Sequence, residues 1–129
     1  MQNVLLNGLE ETVEVRGKCD TAEFAARMKR QPPDLLLCDI EGGEDEIFSD
    51  ELIGSLSETS LVIEMHPPYG SKAMAIGLAT THDVHIVNPV ARRLADYPYR
   101  DWIPRAIKLA WLDECRPFPT PWLVALPKR

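Results

Sequence analysis

Short apolar runs alternate with amphipathic stretches along this chain, and the alternation indicates strands separated by helices. Two runs, DLLLCDI at 34–40 and LVIEM at 61–65, are continuously apolar, which is typical of strands covered on both faces of a sheet. Shorter patterns predict further strands at 12–17 (TVEVRG), 83–89 (DVHIVNP) and 121–127 (PWLVALP).

Helix signals fall between these runs. Asp20 followed by Glu23 resembles a capping box and predicts a helix that the prolines at 32 and 33 close. A second helix is expected from Glu44, and its apolar side is formed by Ile47, Phe48, Leu52, Ile53 and Leu56. Ser71 is the expected cap of a third helix, and a fourth is expected near 104–112.

This order of elements predicts one α/β domain over residues 1–129, with a mostly parallel sheet of about five strands and flanking helices. There is no internal repeat or low-complexity tract that would suggest a second unit. In sheets of this kind, ligands bind beyond the carboxyl ends of the strands. The residues that follow 34–40 and 61–65 are therefore the first candidates for a functional site.

Composition narrows the function classes. The chain has 129 residues, 45% of them hydrophobic, and a net charge of −6, so general nucleic-acid binding is not expected. No membrane span and no secretory signal are evident, which favours a cytoplasmic protein. Three cysteines without metal-binding spacing favour reduced thiols. A basic segment, 92–116, would hold an anionic group or a partner, or remain a solvated surface.

Carboxylates and a histidine follow the two most apolar strands. Asp39 and Glu41 end one strand, and Glu64 and His66 end the next, so adjacent parallel strands would bring all four together. Such a group could bind a hard cation such as Mg²⁺ through oxygen ligands, or could supply a general base. It could also be structural, with Glu41 capping a helix and His66 hydrogen-bonded in a loop. We assign no metal from the sequence.

The stretch DLLLCDIEGGEDEIF, followed by LVIEMHP, resembles the FkbM-type S-adenosylmethionine-dependent methyltransferases. In that family a strand ends Asp-hydrophobic-Glu-Gly, a small residue and Glu follow, and a later strand ends Glu-x-His. The resemblance covers residues 5–67, with Gly43 where alanine is more usual. The matching positions are Asp39, Glu41, Gly42, Glu44, Glu64 and His66.

The resemblance implies a Rossmann-like class I methyltransferase fold, S-adenosylmethionine as cofactor and a small-molecule or sugar acceptor. It places Asp39, Glu41 and Gly42 at the cofactor. It also assigns the chemistry to Asp39, which would line the junction between donor and acceptor, and to Glu64 and His66, which would position or deprotonate the acceptor.

The resemblance matches only the carboxyl-terminal portion of the family fold, because the glycine-rich cofactor loop would lie upstream of Met1. We therefore expect a truncated fold with little or no transferase activity as an isolated chain. The strand at 34–40 would have an unpaired apolar edge, which favours a dimer or larger homo-oligomer unless 12–17 covers that edge. The alternatives are a non-catalytic binding or assembly module, and a metal-dependent hydrolase built on Asp39, Glu41, Glu64 and His66.

Overall fold

The computed structural model describes residues 2–66, 71–90, 93–96, 102–112 and 120–129. The helices are α1 (Gln2–Leu6), α2 (Thr21–Arg30), α3 (Glu44–Ile47), α4 (Asp50–Ser55), α5 (Ser71–Leu78) and α6 (Arg105–Leu112), with a 3-10 turn at Leu94–Asp96. The strands are β1 (Leu35–Cys38), β2 (Ser60–Glu64), β3 (His82–Val87) and β4 (Trp122–Pro127). Residues 92, 97–101 and 113–116 of the basic segment, with Cys115 among them, lie outside the described residues. No helix in the described ranges is long and apolar enough to cross a membrane.

The four strands form one open sheet in the order β1-β2-β4-β3. β1 and β2 are parallel, with Leu36 opposite Leu61, whereas β4 runs antiparallel to both of its neighbours, β2 and β3. The α/β class is therefore confirmed, but the mostly parallel sheet of about five strands is corrected to a mixed sheet of four in the described part of the chain. The last strand lies in the middle of the sheet and is antiparallel to both strands that flank it.

The predicted strand at 12–17 does not form. Val13 and Val15 remain 42% and 47% exposed, and the Val13 amide donates to the Leu9 carbonyl in a local turn. Glu14 and Arg16 form an ion pair within the same short stretch. With these side chains in water, the segment buries too little apolar area to offset the cost of ordering a strand. Among the described residues, β1 is paired only with β2.

The core lies between one face of the sheet and the helices. Alternate residues of the two central strands, Leu61 and Ile63 of β2 and Leu123 and Ala125 of β4, are fully buried. The helices contribute Met28, Phe48, Leu52, Ile53, Leu56, Met74 and Leu78 to the same cluster. On the other face, Leu35 and Leu37 are 60% and 64% exposed. The prediction that 34–40 is covered on both faces is therefore wrong for the described residues, because the helices of the core pack on one side only.

The helix predicted from Glu44 is divided in two. α3 ends before the buried Phe48, and Ser49 begins α4 by accepting a hydrogen bond from the Leu52 amide at 3.4 Å. The division lets α4 turn so that Leu52 and Ile53 both enter the core. The cap predicted at Asp20 is confirmed, since its side chain accepts from the Glu23 amide at 2.8 Å. The expected helices at Ser71 and near 104–112 are present as α5 and α6.

Candidate functional site

The parallel pairing of β1 and β2 sets two acidic residues side by side. Cys38, the last residue of β1, is opposite Ile63, so Asp39 follows one strand where Glu64 ends the other. The two carboxyl groups are close enough for the charge of Glu64 to raise the pKa of Asp39. Asp39 is exposed, whereas Glu64 is only 2% exposed. The predicted meeting of the two strand ends is therefore present in the fold.

Glu64 is held in place by the start of β4. The hydroxyl of Thr120 donates to Oε1 of Glu64 at 2.7 Å, and Trp122 is the partner of Glu64 in the sheet. Because β4 is antiparallel to β2, its first residues lie at the carboxyl end of β2. Thr120 was not recognised from the sequence, since only the strand order reveals that residue 120 lies beside residue 64.

A left-handed turn follows Asp39. Glu41, Gly42 and Gly43 have φ values of 58°, 110° and 96°. The two glycines adopt this conformation without steric cost, but a residue with a side chain does not, and Glu41 pays about 1–2 kcal/mol for it. The turn brings Oε2 of Glu41 to 3.3 Å from Nε2 of His66.

Glu44 binds the other side of the His66 ring. Its Oε1 lies 2.8 Å from Nδ1 of His66, and both side chains are only 8% exposed. The same oxygen accepts a weaker hydrogen bond from the Gly42 amide at 3.3 Å. A carboxylate is only an acceptor, so Nδ1 of His66 carries the proton in this pair. Glu44 matches the family pattern, but the sequence analysis assigns it no role in the site. Its position three residues after Glu41, beyond two glycines, is the sequence feature that could have indicated such a role.

Nε2 of His66 is directed into the cluster and makes no hydrogen bond with the described residues. Glu41 is near enough for an ion pair, but the geometry does not meet that of a hydrogen bond. This leaves one buried ring nitrogen without a hydrogen-bond partner in the part of the chain that the structure describes. Asp39, Glu41 and His66 each present one atom to the same small volume, and these three atoms lie within 4.8 Å of one another.

The environment of this cluster raises the pKa of two of its residues, Asp39 and His66. The pKa of Asp39 is raised first by loss of hydration and then by the nearby carboxyl groups of Glu64 and Glu41, while His66 lowers it. The hydrogen bond to Glu44 raises the pKa of His66, while burial of the ring opposes this effect. Nearby carboxylates contribute to both shifts, but the largest cause is loss of hydration for Asp39 and the hydrogen bond to Glu44 for His66.

An apolar cleft of about 330 Å³ opens beside Asp39, between β1 and the start of α2. Its walls include Phe24, Leu36, Leu37, Ile40 and Ile47. Cys38 also borders the cleft, but burial raises the pKa of its thiol to about 11, so it is a poor nucleophile. The cleft therefore offers an apolar wall that ends on a carboxyl group.

Of the six residues that match the family pattern, Glu41 and Glu44 contact the His66 ring, and Asp39 presents an atom within 4.8 Å of Glu41 and His66. Glu64 lies beside Asp39 at the end of β2, and the Gly42 amide donates to Glu44 from the turn between them. No protein-family model matches the chain, and no curated protein or solved structure matches it significantly. The roles of these residues must therefore be argued from their geometry.

Proposed function

We propose that this cluster is the acceptor side of a methyltransferase-type active site, which directs a methyl group from S-adenosylmethionine to a hydroxyl group of a small molecule or sugar. One observation carries the proposal: the residues that the family resemblance assigns to the chemistry lie at the ends of two paired strands. Asp39 follows β1 beside Glu64 at the end of β2, and His66 presents an atom to the same small volume as Asp39.

The order of the strands supports the proposal. In the class I methyltransferase sheet the last strand is antiparallel and is inserted between the two strands that precede it. β4 lies in this way between β2 and β3. A strand order is evidence of fold rather than of reaction, so the proposal rests first on the cluster.

The residues beside the cluster fit a positively charged donor. The cleft has the volume of a small ligand site, most of its lining is apolar, and Asp20 and Asp39 are among its lining residues. S-adenosylmethionine would supply an activated methyl group on a sulfonium. Asp39, with Glu41 and Gly42 in the turn that follows, would hold it. The apolar lining of the cleft would exclude water from the donor, and the carboxylates of Asp39 and Glu41 would present negative charge to its sulfonium.

His66 is suited to accept the proton that a hydroxyl group loses when it is methylated. Glu44 fixes the ring through Nδ1, which leaves Nε2 directed toward the cluster. A base held by a carboxylate on its far side is a recurrent arrangement in acid–base catalysis. Glu64, fixed by Thr120, would position the acceptor together with Asp39.

Titration calorimetry with S-adenosylhomocysteine, the product of methyl transfer, tests the proposal. We expect binding in the micromolar range, weakened in Asp39→Asn and unchanged in the control Asp45→Asn, which removes an exposed charge from the same acidic stretch. Bound protein would then be assayed for methyl transfer to sugar and phenol hydroxyl groups, with loss of activity in His66→Gln. If no heat is released at millimolar ligand, this chain does not bind the donor, and the proposal is wrong.

The exposed edge of the sheet favours a second role in assembly. Leu35 and Leu37 are more than half exposed on β1, whose outer edge is unpaired among the described residues. Such an edge pairs readily with another chain. We propose that two copies of this chain associate through β1.

A further inference from the structure

We propose that Asp39, Glu41 and His66 form a binding site for one divalent transition-metal cation. The inference goes beyond methyl transfer and does not rest on it, because it follows from the positions of the three side chains alone. It would hold equally for an assembly module.

The three ligand atoms lie close together, but not yet at the spacing that one cation requires. They lie within 4.8 Å of one another, whereas nitrogen and oxygen ligands bonded at about 2.0–2.2 Å to a tetrahedral cation lie about 3.3–3.6 Å apart. Asp39 and Glu41 are exposed, so their side chains can rotate toward the cation when it binds.

The unpartnered nitrogen of His66 is the independent observation that points to a ligand. Its side chain is 92% buried, the complement of its 8% exposure, and Nε2 has no hydrogen bond among the described residues. When the ring is neutral, Nδ1 holds the proton against Glu44, so the Nε2 lone pair faces the Glu41 carboxylate across 3.3 Å. Two electron-rich atoms at this distance repel each other, and a cation between them turns the repulsion into two bonds.

The surrounding side chains have the arrangement of the outer groups of a metal site. A histidine that binds a metal through one nitrogen usually donates its other N–H to a carboxylate, as Nδ1 does to Glu44. This contact is buried, with each of the two side chains only 8% exposed, which an acidic surface alone would not require.

The donor set selects the class of cation. One imidazole nitrogen with two carboxylate oxygens suits Mn²⁺, Fe²⁺ or Zn²⁺ better than Mg²⁺ or Ca²⁺, which take oxygen ligands almost alone. Three protein ligands leave coordination positions open for an oxygen of a small molecule. A cation on Nε2 also excludes a proton there, so His66 can accept a proton only in the cation-free protein.

A titration with MnCl₂ alone tests the site. The full chain is first treated with a chelator, and binding is measured by calorimetry and by electron paramagnetic resonance of the free Mn²⁺. We expect one cation per chain. Glu41→Gln should weaken binding at least tenfold, and it should fold normally because this side chain is 78% exposed. Glu46→Gln, which removes the same charge from an exposed neighbour, should bind as the parent does. Glu44→Gln, a change in a positioning residue, should weaken binding by about 10–100-fold.

The imidazole signals in a proton NMR spectrum show whether His66 is a ligand. Substoichiometric Mn²⁺ should broaden the signals of His66 and leave those of the exposed His85 sharp. Equal broadening of both histidines, or equal Mn²⁺ affinity in Glu41→Gln and Glu46→Gln, would show only a diffuse attraction to acidic groups and would overturn the proposal. So would the absence of binding to both Mn²⁺ and Zn²⁺ at millimolar concentration.

Discussion

Nδ1 of His66 lies 2.8 Å from Oε1 of Glu44, and each side chain is only 8% exposed. This buried pair raises the pKa of His66 above its ordinary value of 6.5, first through the hydrogen bond and then through the charges of Glu44, Glu64 and Glu41, against the opposing effect of burial. The pair therefore links protonation of the site to the stability of the fold.

In buffer with a chelator, the NMR titration of His66 should have its midpoint above 6.5. Because the folded pKa is raised, the stabilisation should be fully present below pH 6.5 and lost as the pH rises through the raised value. Glu44→Gln should lower the midpoint and reduce this pH dependence, whereas Glu46→Gln should change neither. A midpoint at or below 6.5 in the parent protein would contradict the prediction.

Asp39→Asn should make the protein more stable at pH 7. The raised pKa of Asp39 means that the folded state favours its protonated form, so its favourable contribution is present below pH 3.8 and lost as the pH rises through the raised pKa. Asparagine remains uncharged throughout. Urea unfolding at pH 4 and pH 7 should show that the advantage of the variant grows with pH. The control Asp45→Asn should show no such growth, and an equal gain at both pH values would contradict the explanation.

Replacement of Glu41 separates backbone strain from charge. At φ 58° its β-carbon is unfavourable, so Glu41→Gly should be more stable than Glu41→Gln by about 1 kcal/mol, although both variants lose the same carboxylate. Chemical unfolding of the two variants measures the difference. If they are equally stable, the left-handed turn stores no strain at this residue.

Leu37→Lys should reduce self-association without unfolding the chain. The side chain is 64% exposed on β1, so the charge meets water in a single chain, and a lysine on an edge strand disfavours pairing with the edge of a second copy. Val90→Lys is the matched control, because Val90 is 85% exposed and lies outside the strands. Sedimentation velocity should show a dimer for the parent and for the control. A monomeric parent protein would refute association through β1.

The sequence predicted the structure best where a feature depends on residues that are neighbours along the chain. The apolar runs located β1 and β2, and the residues that follow them, Asp39 and His66, met as parallel strands require. The position of β4 could not be predicted in this way, because an apolar run indicates a strand but not which strands it pairs with or whether the pairing is parallel or antiparallel. Thr120, placed by β4, was missed for the same reason.

The division between α3 and α4 escaped prediction for a different physical reason. The apolar residues from Ile47 to Leu56 keep a helical period, which predicts a single helix. However, the left-handed turn before Glu44 fixes the direction of α3, and the cap at Ser49 begins a second helix, α4, in a different direction. The site depends on that turn, since it brings Glu41 and Glu44 to opposite sides of one imidazole ring. Its conformation could be anticipated at the glycines but not at Glu41.

The position of β4 also orders events during synthesis. β2 and β3 have no hydrogen bonds to each other, and each is joined to the sheet's other half only through residues 122–127. A ribosome must therefore release the last of these strands before the sheet can close and before Thr120 can reach Glu64. Until then β2 and β3 lack their central partner, and the unpaired strand edges of the incomplete sheet favour aggregation.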